Sequence, residues 1–198
     1  MKLLLIRHGK TMANEKHLYC GSTDLSLSEQ GKQELAGRTV AVPENCRYLS
    51  SGMARANETL ELLFPGVNYE KNPGFREVDF GIFEMKSYEM LKEDPAYQAW
   101  LTGDNMANTP PGGESGNAMT ERVVAAFREL AERRENGVLV THGGVIAALM
   151  EHLFPQENKN RYQWQSPNGG GYLLTFEEEI WTYEKSLLLE EKVARHKP

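Results

Sequence analysis

Apolar side chains gather in a few short runs, and each run ends at a glycine, a proline or a charged residue. Leu3-Leu4-Leu5-Ile6 and Val138-Leu139-Val140 are continuous rather than alternating, the pattern of strands buried on both faces. The first run leads into Arg7-His8-Gly9, the second into Thr141-His142-Gly143-Gly144. Weaker strands are predicted over 46–50 and 67–70. Residues 169–176 and 180–183 read as a closing hairpin around Glu177-Glu178-Glu179.

Between these runs the apolar positions recur at helical spacing. Leu35, Ala36 and Val40 mark a helix opened by Ser26 or Ser28, running to Thr39 and stopped by Pro43. Met53, Ala56, Leu60 and Leu63 mark a second, closed by Pro65-Gly66. Met119, Val123, Phe127 and Leu130 mark a third, with Gly137 where a C-terminal cap belongs. Ile146, Leu149, Met150 and Leu153 mark a fourth, which starts straight after His142 and stops at Pro155. Residues 15–26 read as an irregular loop. Residues 72–113 have no clean period and many prolines and glycines. They read as an inserted active-site cover with short helices around 87–92 and 95–101.

Strands alternating with helices predict an α/β fold, a three-layer sandwich around a mostly parallel central sheet. No repeat, low-complexity tract or linker interrupts it, so residues 1–198 are expected to form one domain. Composition adds limits rather than detail. Hydrophobic residues at 40% and charged residues at 25% are ordinary for a soluble protein. A formal charge of −6 argues against nucleic-acid and anionic-membrane partners, although a cleft can still be locally basic. No apolar run approaches the ~20 residues of a membrane span. Cys20 and Cys46 make neither a disulfide framework nor a metal site, and a reducing cytoplasm is the expected compartment.

The chemistry sits at the ends of the predicted strands. In open α/β sheets ligands bind beyond the carboxyl ends of the strands. Arg7 and His8 follow the first strand, Arg55 lies in the first turn after the second, and His142 follows a later one. If these strands run parallel, two guanidinium groups, two imidazoles and helix N-termini converge on one crevice and make an anion site. A neutral imidazole in such a site can attack phosphorus and become phosphohistidine, with the cations neutralising the equatorial oxygens. Each residue alone has a plainer reading. His8 or His142 can be a hydrogen-bonded histidine at a strand end, and Arg55 a surface arginine. The joint pattern favours the anion site.

These blocks resemble the histidine phosphatase superfamily, which includes the phosphoglycerate mutases. The likeness runs through Leu5-Ile6-Arg7-His8-Gly9-x-Thr11 with Asn14, and Gly21-x-x-Asp24-x-x-Leu27-Ser28-x-x-Gly31. It continues in Ser50-Ser51-Gly52-Met53-Ala54-Arg55-Ala56-x-x-Thr59 and Glu77-x-x-Phe80-Gly81-x-Phe83-Glu84. It closes with Pro111-Gly112-Gly113-Glu114-Ser115 and Val140-Thr141-His142-Gly143-Gly144-Val145. The resemblance implies a phosphoglycerate mutase-like fold in which His8 is the nucleophile. Arg7, Arg55 and His142 would bind the phosphoryl group, and Glu77 would act as acid and then base. Asn14 and Gly143 would line the phosphate pocket. It implies no metal and no cofactor.

Within the superfamily, the mutase branch places a basic residue after the catalytic glutamate and further cations downstream. Here Val78 follows Glu77, and Lys86 and Lys92 are the only cations in 85–114. The Phe80–Trp100 stretch is most similar to the alpha-ribazole phosphatases of cobalamin biosynthesis. The expected activity is therefore a metal-independent phosphomonoesterase acting on alpha-ribazole 5′-phosphate. The alternatives are a broad phosphatase of sugar or nucleotide phosphates, a mutase, or a non-catalytic phosphate-binding regulator. Met85, Met90, Tyr97 and Trp100 would line an aromatic pocket or else pack the insertion. The expected partner is a small phosphorylated metabolite, with a homodimer left open and neither nucleic acid nor membrane involved.

Overall fold

A strand whose side chains are all apolar needs cover on both faces, and the amino-terminal run has it. In the computed structural model, which describes residues 1–186, β1 (Lys2–Arg7) holds Leu3, Leu4, Leu5 and Ile6 at no more than 1% exposure. After it come α1 (Met12–Glu15), α2 (Glu29–Leu35), β2 (Arg47–Ser50), α3 (Ala54–Leu63) and β3 (Glu70–Lys71). The next stretch carries 3-10 turns at Pro73–Phe75 and Gly81–Phe83, then α4 (Tyr88–Leu91) and α5 (Pro95–Leu101). The chain continues with α6 (Gly116–Glu132), β4 (Gly137–Thr141), α7 (Gly143–Leu153), β5 (Gly171–Glu177) and β6 (Ile180–Ser186). No helix among the described residues is long and apolar enough to cross a membrane.

The strands form one sheet in the order β3-β2-β4-β1-β5-β6. The first four run parallel, and β5 and β6 are antiparallel additions at one side. Because β1 alternates across the sheet, Leu3 and Leu5 pack with Leu139 under α6 and α7, while Leu4 and Ile6 pack with Val138 and Val140 under α2 and α3. This is the three-layer α/β sandwich expected. Register decides what happens at its upper edge. Arg7 pairs with Thr141, and Ser50 with Val140. The residues that follow these strands, His8, Ser51 and His142, therefore emerge at one level.

Several boundaries differ from the sequence reading, each for a local reason. Thr11 caps an unforeseen turn, α1, by a reciprocal capping box with Asn14. Ser28, not Ser26, caps α2, and the helix stops at Leu35 because Ala36 turns extended and Gly37 takes φ 73°. β3 is two residues long and lies at Glu70–Lys71, rather than across 67–70. Gly137 is no helix cap: α6 ends at Glu132, Arg134 makes the left-handed turn at φ 54°, and Gly137 opens β4 in register with Leu3. β6 extends beyond 183 to Ser186. Its turn uses Glu178 and Glu179, both at positive φ, the backbone of a type I′ hairpin without its usual Asn or Gly.

Arg122 ties residues 74–76 to α6. Its guanidinium donates to the carbonyls of Gly74 and Arg76 at 3.0 Å and forks onto Glu114 at 2.7–3.0 Å. Farther along, Phe83, Leu91 and Tyr97 make a small buried cluster of their own. That packing holds the chain carrying Glu77 over the end of the sheet.

Candidate active site

His8 begins where β1 ends. Its backbone N–H donates to the Thr141 carbonyl at 2.9 Å, and its Nδ1 lies 2.7 Å from the Gly9 carbonyl. A carbonyl only accepts, so Nδ1 carries the proton and Nε2 keeps its lone pair. Burial, reinforced by the Arg55 and Arg7 guanidiniums, holds the imidazole well below the ordinary histidine range. His8 is thus a neutral imidazole with one free nitrogen. Gly9, whose carbonyl orients it, is itself held on its other side, because Gly9 N–H donates to Thr59 Oγ1 at 2.9 Å, and that hydroxyl donates to the Arg55 carbonyl at 2.6 Å.

The His142 ring lies edge-on to His8 with centroids 5.2 Å apart. It is fully buried, and burial together with Arg55 also keeps it well below the usual histidine range. Arg55 Nε–H points at its Nδ1 at 3.3 Å, and Ser51 Oγ lies 2.8 Å from its Nε2. Arg55 is 1% exposed, and its two terminal nitrogens donate to the carbonyls of Thr23 (2.9 Å) and Gly21 (2.8 Å). An arginine so enclosed is far from the surface reading that its helix position alone allows.

Arg7 and Glu77 both lie against the α7 N-terminus, Arg7 at Gly143 and Glu77 at Gly144. Arg7 Nη1 donates to the Ser166 carbonyl at 2.7 Å, while its buried Nε has no hydrogen-bond partner. Burial draws the Arg7 pKa down, and the Glu77 carboxylate opposes that. Glu77 accepts the Gly144 N–H at 2.9 Å and the Val78 N–H at 3.0 Å. Side chains on α7 would block both: a Cβ on Gly143 would sit 3.1 Å from Arg7 Cζ, and one on Gly144 only 2.4 Å from Glu77 Oε1. Gly143-Gly144 therefore gives backbone N–H groups and close access at the positive end of a helix.

Five of the sequence candidates, Arg7, His8, Arg55, Glu77 and His142, come together in this way, and Gly143 lies among them. Asn14 is placed at the rim. Its Oδ1 accepts both the N–H and the hydroxyl of Thr11 at 3.0 Å, so contact with an anion must come from its nitrogen. With Arg7, Lys10 and Asn168 it lines an open polar hollow of about 530 Å³. The supporting groups Ser51, Thr59 and Ser166 had no role in the sequence reading. Ser51 and Thr59 stand in the Arg55 motif and could have been questioned there, whereas Ser166 leaves no local signal.

A second cavity, of about 430 Å³, opens on the other side of Glu77 and Gly144. Tyr19, Phe80, Trp100, Met106, Met119 and Tyr162 give it a largely aromatic and apolar wall. Of the four residues expected to form an aromatic pocket, Trp100 alone lines it. Tyr97 is buried behind, bonded to Tyr19 through their hydroxyls at 2.6 Å, and Met90 is 67% exposed. Met85 supports the wall through its backbone, donating to the Tyr19 carbonyl at 2.7 Å.

Two buried neutral histidines tie stability to pH. With native pKa values below the unfolded one, the unfolded chain binds more protons as pH falls. Unfolding free energy is expected to drop below about pH 6.5, by up to about 1.4 kcal/mol per pH unit for each histidine. Urea unfolding between pH 7.5 and 5.5 reads this slope, and His142→Asn should flatten it. An unchanged slope in that variant contradicts the assignment.

Comparison with known proteins gives the chain its relatives. The sequence model of the histidine phosphatase superfamily (branch 1) matches residues 3–187. A Salmonella typhimurium protein named adenosylcobalamin/alpha-ribazole phosphatase is 29% identical over 177 residues, covering 85% of this chain and 87% of its own. A Salmonella paratyphi C protein named as a probable phosphoglycerate mutase is 26% identical over 160 residues, covering 77% and 74%. Among solved structures, the alpha-ribazole phosphatase from Shigella flexneri superposes with a TM-score of 0.81 at 27% identity, covering 96% and 97%.

Proposed function

The chain belongs to branch 1 of the histidine phosphatase superfamily, and from that premise we propose that this phosphatase cleaves phosphomonoesters through a phosphohistidine on His8. The observation that carries the reading is the tautomer of His8. Its Nδ1–H is fixed on the Gly9 carbonyl, leaving Nε2 as a lone pair inside a cationic site. In the first step Nε2 forms a bond to phosphorus while the ester P–O bond breaks. Glu77, protonated in the substrate complex, gives its proton to the leaving oxygen. In the second step the Glu77 carboxylate takes a proton from water as that water attacks phosphorus. The N–P bond breaks, phosphate leaves and neutral His8 returns. Arg7, Arg55 and the Gly143 N–H stabilise the charge on the transferring group, with His142 set against the Arg55 Nε–H and Asn14 at the rim.

The cavity beside Glu77 supports a substrate whose alcohol is flat, aromatic and uncharged. Among the described residues lining it, Arg161 is the one cation, and Glu151 already pairs with it at 3.0 Å. Glu77 and Glu114 line the same wall, so a carboxylate-bearing alcohol such as a phosphoglycerate gains no counter-charge there. Together with the relatives' names, this favours alpha-ribazole 5′-phosphate and a place in cobalamin biosynthesis.

Comparing kcat/KM for alpha-ribazole 5′-phosphate, adenosine 5′-phosphate, a sugar phosphate and 3-phosphoglycerate tests the reading. The aromatic nucleoside-like ester is expected to lead, and equal values across the panel would favour a broad phosphatase instead. A stacking contact is worth about 1–3 kcal/mol, so Trp100→Ala should raise KM for the aromatic ester roughly 5- to 150-fold and leave the sugar phosphate little changed. Equal losses on both substrates would remove Trp100 from recognition.

A further inference from the structure

An ionised carboxylate accepts hydrogen bonds and donates none, with room for about four. Glu84 fills that room almost entirely from one short loop. Its oxygens accept the N–H of Gly21 (2.9 and 3.1 Å), Ser22 (2.9 Å) and Thr23 (3.3 Å), and the Thr23 hydroxyl at 2.7 Å. The Phe80 N–H, three residues after Glu77, donates to the same carboxylate at 3.0 Å.

The opposite side of that loop faces Arg55. While the N–H groups of Gly21 and Thr23 turn toward Glu84, their carbonyls accept the two terminal nitrogens of the buried guanidinium. The third nitrogen, Nε, is then left to face His142. Gly21 cannot carry a side chain, because a Cβ would lie 1.6 Å from the Val78 carbonyl oxygen. The loop is therefore clamped between the segment bearing Glu77 and the guanidinium.

We propose that Glu84 is a positioning residue that acts through the Gly21–Thr23 loop, aiming Arg55 at the phosphoryl group and holding it in register with Glu77. Its charge touches neither substrate nor reacting atoms; it fixes the N–H groups of a loop whose Gly21 and Thr23 carbonyls hold the guanidinium. Glu84→Gln keeps the volume but puts an NH2 against N–H groups that need an acceptor. The loop then turns, and Arg55 loses both carbonyl anchors. This assignment rests on the phosphatase reading above.

The test is a double-mutant cycle on an aryl phosphate, with thermal unfolding as a check that each variant folds. Glu84→Gln should lower kcat/KM by about 10- to 100-fold in the native background, as supporting-residue changes typically do. In the Arg55→Ala background the same change should cost less than about 3-fold, because residues that act through one another are not additive. Effects that multiply would overturn the proposal. Should Glu84→Gln fail to fold, Thr23→Val removes its shortest contact and should show the same non-additivity at smaller amplitude; an unchanged kcat/KM in that variant overturns the proposal as well. Affinity for inorganic phosphate, measured by calorimetry, separates the two layers of argument. Absence of hydrolysis by the native protein would sink the phosphatase reading alone. An unaltered phosphate affinity in both Glu84→Gln and Thr23→Val would sink the role of Glu84.

Discussion

His8→Ala is expected to reduce kcat toward an aryl phosphate by on the order of 10⁴- to 10⁶-fold, the scale on which a covalent nucleophile is lost. The loss does not depend on leaving-group chemistry, because a good leaving group still needs an attacking atom. His142 cannot substitute. Its two nitrogens are occupied by Arg55 and Ser51, and its ring is fully buried. The measurement is steady-state hydrolysis, paired with trapping of the phosphoenzyme by an alkaline detergent quench on denaturing gels. Native protein should yield an acid-labile, base-stable phosphoryl adduct, and His8→Ala none. An undiminished rate in the variant, or the same adduct, would place the nucleophile elsewhere.

Glu77→Gln separates the two halves of the reaction. As acid for the leaving oxygen, Glu77 should contribute about 10²- to 10⁴-fold with an alkyl ester. A nitrophenolate departs without a proton, so its first turnover should slow by less than about 10-fold. The second step has no such escape, because water attacking the phosphohistidine still needs a base. The variant should therefore release a burst of nitrophenolate equal to the enzyme present and then turn over slowly. Equal slowing of the first turnover for both esters would take Glu77 out of the acid role. A missing burst, with first turnover intact, would take it out of the base role. The variant should fold, since Glu77 is half-buried and its amide oxygen can still accept one of the Val78 and Gly144 N–H groups.

What the sequence revealed follows from where the information is local. Leu3–Ile6 and 138–140 are legible because a strand covered on both faces needs continuous apolar side chains, and the chemistry begins at the residue after the run. Arg7, His8, Arg55 and His142 share that placement at element junctions, so parallel order alone brings them together. Glu77 lies in a stretch without period, and only the resemblance singled it out. Most contacts that aim the groups were not legible, because they run from backbone carbonyls of Gly21, Thr23 and Ser166 to side chains distant in sequence. Which of the four residues line the pocket and which pack the insertion was not legible for a related reason. Tyr97 and Met90 have the right chemistry, but α4 and α5 pack one inward and leave the other in solvent, which depends on tertiary placement rather than residue type.

The central position of β1 also governs how the chain reaches this structure. β1 is synthesised before every other described strand, yet its two sheet neighbours pair through residues 137–141 and 171–175. At about 5–20 residues per second, translation takes roughly 7–27 s to travel from Arg7 to Thr141. Throughout that interval an apolar strand has both hydrogen-bonding edges open, the condition that invites pairing with other chains. Pairings of such long range are also slow to form once synthesis ends. The strand that delivers His8 is therefore the part of the nascent chain most in need of protection, and the candidate site cannot assemble before the sheet closes around it.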